Sequence, residues 1–187
     1  MALFKKKIKM SDAIRMFAES VTDDGMALWP KVKACIEKNG YSINDNDEGC
    51  VIWLIGLYAL ETIYSYQVID KNMAEYISKN VEYYFDYRIE VLKDWPAVFK
   101  EVYSLFMYMY WCSVKKSFTN PGPQNNAIEL TSSVVLLGII IGYEGIKNND
   151  MPDNSAKFGI MLNEFHYKIV LPTLGKWEQI IEKYKVI

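Results

Sequence analysis

Three long apolar runs constrain this chain more than any other feature, because each is either interrupted by a charge or too short to cross a membrane. Residues 50–69 are nearly continuous but carry Glu61 near their middle, and residues 130–143 are purer but bracketed by Glu129 and Glu144. Residues 102–114 cover only about two-thirds of a span, since a spanning helix needs ~20 predominantly apolar residues. Segments of this kind read as core helices of a soluble protein that must surround themselves with other helices. A composition of 51% apolar and 24% charged residues in 187 fits one compact domain, and rules out a disordered chain.

The periodicity is helical almost throughout. Met10, Ile14, Phe17, Ala18 and Val21 form one stripe, and Thr22-Asp23-Asp24-Gly25 reads as its break. Leu28, Val32, Cys35 and Ile36 make a second stripe, with Pro30 in its first turn and Asn39-Gly40 as its close. Further helices are expected over about 48–69, 73–92, 95–118 and 127–146. The one over 127–146 competes with a strand reading because of Val134, Val135 and Ile139–Ile141. A last helix starts near 154 and is interrupted at Pro172, and an amphipathic set follows it: Leu174, Trp177, Ile181 and Tyr184. The expected fold is all-α: a single bundle of six or seven helices spanning 1–187, with apolar central helices and residues 1–9 as a flexible basic tail.

Charge and cysteine usage narrow the partners. A net charge of −2 and a pI near 5.5 give nucleic-acid phosphate no overall attraction. Lys5, Lys6, Lys7 and Lys9 beside Leu3, Phe4 and Ile8 are compatible with weak contact to a membrane surface. They form neither a secretory signal nor a myristoylation site. Cys35, Cys50 and Cys112 are odd in number and set among apolar residues, without zinc-ligand spacing. A reducing cytoplasm is the simplest compartment, and no metal or cofactor is expected.

Signatures of catalysis are sparse. His166 is the single histidine and lies among aromatics. Glu61 is the most unusual residue, because an ionised carboxylate among Leu57, Leu60, Ile63 and Tyr64 must be paired, protonated or turned to a cavity. Arg88, one of two arginines, is its candidate partner. The fourteen tyrosines include Tyr103 and Tyr110, on a stripe with Phe99 and Phe106 that is either core or the lining of a pocket. The candidate binding residues are therefore Glu61, Arg88, Tyr103, Tyr110 and His166. The leading expectation is a non-enzymatic, cytoplasmic helical protein that binds another protein through acidic and aromatic surface, neutralising it as immunity proteins do. The alternative is a small-molecule-binding bundle with an aromatic pocket near Glu61.

Overall fold

The computed structural model describes residues 5–41, 43, 47–88, 101–108, 133–134, 136–138, 140–141 and 155–187. Its helices are α1 (Met10–Lys38), α2 (Asp47–Val68), α3 (Lys71–Arg88), α4 (101–108), α5 (133–134, 136–138 and 140–141), α6 (Ser155–Phe165) and α7 (Lys176–Lys183). A π-helical turn, His166–Val170, and a 3-10 turn, Leu171–Thr173, join α6 to α7 where Pro172 ends regular α geometry. The architecture is an all-α bundle, and the described residues over 127–146 are helical rather than extended. The remainder of the helices expected over 95–118 and 127–146 lies outside the described residues.

The central element is α2. It is apolar all round, and every residue from Val51 to Ile63 is buried, because α1, α3 and α7 pack against it. Its stretch Gly49–Tyr66 is long and apolar enough to cross a membrane, yet 89% of that stretch is buried inside the fold. Helix spacing around α2 is set by a missing side chain. A Cβ at Gly56 would lie 2.2 Å from Leu136 Cδ1 of α5 and 2.8 Å from the Phe106 ring of α4. Gly56→Ala is therefore expected to destabilise the fold by about 1–3 kcal/mol despite alanine's better helix propensity, and a chemical-denaturant melt checks it. By contrast Gly138, whose spacing from Gly142 suggests a helix-packing motif, has nothing within 4 Å of its would-be Cβ among the described residues.

The expected break at Thr22–Gly25 is absent: α1 runs unbroken through it and through Pro30. The reason is tertiary. Gly25 is buried, and a Cβ there would stand 2.5 Å from Leu54 Cδ2, so the glycine admits α2 at close range instead of opening a turn. The Trp53 indole N–H donates to the Gly25 carbonyl at 2.8 Å, while Thr22 and Asp24 spend their polar groups on α2 and α7. The close of α1 is as expected. Gly40 takes φ +89°, its N–H reaches the Glu37 carbonyl at 2.9 Å, and the Tyr41 N–H reaches Ile36 at 3.3 Å.

A second departure lies at residues 6–8, which the sequence places in a flexible tail. Lys6–Ile8 (β1) pairs in parallel with Tyr184–Val186 (β2), in the register Lys6↔Tyr184, Lys7↔Lys185, Ile8↔Val186. The Ile187 N–H bonds the Ile8 carbonyl at 2.9 Å, and the Met10 N–H bonds the Ile187 carbonyl at 3.0 Å. Ile8, Tyr184 and Val186 are half-buried against the core. Apolar contact on the inner face, rather than the low strand propensity of lysine, holds the ribbon.

Candidate functional site

Glu61 is 1% exposed, at the junction of α1, α2 and α7. Its Oε2 accepts the backbone N–H of Lys176, the first residue of α7, at 3.3 Å. No side chain of its own caps that helix, whose N-cap Gly175 is left-handed at φ +93°. A carboxyl delivered from another helix thus satisfies one of the N–H groups left over at a helix start. Oε1 has no partner among the described residues. The Lys176 ammonium turns away to Asp24 of α1, with which it forms a short ion pair.

Burial pushes the Glu61 carboxyl up to about 8. The Lys176 N–H, the Lys176 charge and the Gly175 N–H pull it back, and Asp24 adds a smaller upward push. Near neutral pH this residue is mostly a carboxylic acid. The expected Glu61–Arg88 pair lies outside the described residues, because only the backbone of Arg88 is described.

Aromatics do gather one turn away, but as core. Trp177 stacks on Phe17 at 5.1 Å, and Phe17 meets Tyr58 edge-on at 6.3 Å. All three are fully buried, and the Tyr58 hydroxyl donates to the Ala18 carbonyl and sits 2.7 Å from Thr22 Oγ1. Tyr103 is buried on α4, and Tyr110 lies outside the described residues.

His166 belongs to another junction. It opens the π-helical turn, is 2% exposed, and places Nδ1 2.8 Å from Ser133 Oγ of α5. Burial holds its imidazole below the usual range, so it is neutral at pH 7. A serine beside a histidine suggests nucleophile and base, but Ser133 is fully buried, and a substrate has no approach to its hydroxyl. The pair works as a buried cross-link between α5 and the turn after α6. Among the described residues, no three His, Cys, Asp or Glu side chains converge on a metal position.

The open site is elsewhere. A groove of about 360 Å³ runs between α1 and α6. Its floor is Ala34, Cys35 and Ile169, and its rim is Lys31, Lys38, Lys168 and Glu164. Glu164 holds two ammonium groups in place, accepting from Lys38 and from Lys168 at 3.1 Å each, and these bonds keep its carboxyl below the usual range. Burial, seconded by Glu164, pushes the Cys35 thiol up, which leaves it a poor nucleophile. Ile160, Tyr167 and Leu171 stand exposed along α6 and the turns that follow it.

Of the candidates read from the sequence, Glu61 and His166 are buried as expected, yet different helices hold them and they form no common site. Nothing in the sequence pattern sets Lys176, Asp24 or the groove lysines apart. Their signal is weak in sequence, since Lys38 and Glu164 meet across 126 residues. Comparison with protein-family models, with curated proteins and with solved structures found no match for this chain.

Proposed function

We propose that this chain is a non-enzymatic interaction protein that docks an acidic segment of another protein in the groove between α1 and α6. The observation that carries the reading is the groove's make-up: an apolar floor ringed by three lysines and one carboxylate, Glu164, with an exposed Ile160, Tyr167 and Leu171 on the same stretch of α6 and its following turns. Apolar side chains left in water beside a cleft mark a binding surface, and an aromatic such as Tyr167 is a favoured anchor there. Glutamate or aspartate side chains of the partner meet Lys31, Lys38 and Lys168, and one aliphatic or aromatic side chain fills the floor. Neutralising such a partner by covering its acidic segment is the biological role this reading favours. The buried free thiol of Cys35 supports a reducing, cytoplasmic setting.

The test is selection from a displayed random peptide library. The wild type is expected to enrich acidic peptides bearing a single large apolar residue. The variant Lys31→Glu/Lys38→Glu/Lys168→Glu is expected to lose that enrichment. Absence of any acidic preference would end this reading.

A second reading, a small-molecule site at Glu61, is supported by one observation. Glu61 Oε1 and Trp177 Nε1 are both buried without partners among the described residues, on adjoining parts of the α2–α7 junction. A compact polar ligand with two acceptors would suit them, because the protonated Oε1 and the indole N–H both donate.

A further inference from the structure

We propose that the β1–β2 ribbon is a docking patch for an anionic membrane surface, built from lysines at opposite ends of the sequence. The groove reading does not depend on these residues, and this inference does not depend on the groove. Lys5, Lys6, Lys7 and Lys9 precede α1, and the parallel pairing brings Lys183 and Lys185 beside them. All six are exposed. Strand alternation turns Lys5, Lys7 and Lys9 to the same side, and the register sets Lys185 directly opposite Lys7.

Folding does not account for that opposition. Like charges facing each other across a strand pair destabilise it, and the half-buried Ile8, Tyr184 and Val186 hold the ribbon from its inner face. The opposing charges nearby are modest. Asp12 is engaged by Arg15 at 3.4 Å, and Glu182 lies on α7 beside Lys183. The Lys5 ammonium also donates to the Ile181 carbonyl at 2.6 Å, tying the patch to the end of α7.

Segregation of charge selects the partner. Six of the 21 basic residues gather here, leaving 15 against 23 acidic residues over the rest of the chain. A flat bilayer can contact the patch first, and acidic residues farther from it than a screening length of about 8 Å add little repulsion. A nucleic-acid strand long enough to bend would meet those acidic sides, and the one aromatic of the ribbon, Tyr184, packs on the core instead of offering a stacking face. Clusters of four to eight lysines suit anionic headgroups.

The test is co-sedimentation of the full chain with phosphatidylcholine vesicles, with and without phosphatidylserine. Binding is expected only with phosphatidylserine, and added salt is expected to weaken it. Each lysine contributes roughly fivefold, so Lys7→Gln, Lys9→Gln and Lys185→Gln together are expected to weaken binding about 100-fold. Lys7→Arg with Lys185→Arg keeps the charge and should retain binding, which separates loss of charge from loss of fold. Lys31→Gln with Lys38→Gln, in the groove, should change nothing. Equal sedimentation with both vesicles, indifference to the triple substitution, or tighter patch-dependent binding to a single-stranded oligonucleotide would each overturn the proposal.

Discussion

Glu61 is expected to withdraw about 3–5 kcal/mol of stability from the wild-type protein, relative to Glu61→Gln, as the pH rises from 4.5 to about 8. The sign follows from where the proton sits. Below 4.5 the carboxyl is protonated in the folded and unfolded chains alike, so its contribution is fully present. Above 4.5 the unfolded chain releases the proton while the buried carboxyl keeps it, and stability falls with every unit until the folded carboxyl ionises near 8.

Glutamine keeps the carbonyl that accepts the Lys176 N–H and has no proton to lose. The variant should therefore match the wild type at low pH and exceed it at pH 8. Urea melts of both proteins across this range isolate Glu61 from other titrating groups, because only the difference between the two curves matters. Parallel curves would show that the carboxyl is already ionised in the fold. If Glu61 serves a small ligand, the variant should also lose any stabilisation conferred by a metabolite mixture.

Removing residues 1–8 should cost about 3–4 kcal/mol. The deletion takes away β1, the Ile8 carbonyl that receives the Ile187 N–H, and the half-buried Ile8 side chain. Each lost hydrogen bond contributes about 1 kcal/mol, and partial burial of an isoleucine adds a similar amount. For a chain of this size that corresponds to roughly 10 °C in Tm, which a thermal melt resolves easily. A shift near zero would mean that residues 6–8 behave as the free tail their lysines suggest.

Where the sequence was informative, the physics was local. Apolar residues all round residues 50–69 meant burial on every side, and α2 is buried on every side. Asn39-Gly40 meant a left-handed close, and Gly40 adopts it. The Thr22–Gly25 segment misled because its turn preference is small beside the contact it makes with Leu54, Trp53 and Tyr58, all distant in sequence. Glu61 was recognisable as a buried carboxyl from its neighbours alone. Its partner was not, because a backbone N–H at the start of a helix has no sequence signature. The groove is invisible for a related reason: Lys31 and Lys38 read as an ordinary solvated face of α1 until α6 is laid beside them.

The β1–β2 ribbon also orders events in time. Its two strands are separated by nearly the whole length of the sequence, so their meeting closes the longest loop in the fold and bears the largest closure entropy. Helical contacts such as those of α1 with α2 span far shorter stretches and form without waiting for it. During synthesis, β1 leaves the ribosome long before β2 and has nothing to pair with until β2 has been made. Over that interval Ile8 stands unpaired beside its lysines, and the repulsion that later opposes Lys7 to Lys185 keeps early strands of neighbouring nascent chains apart as well. The charge that weakens the finished ribbon thus protects its first strand while it waits for its second.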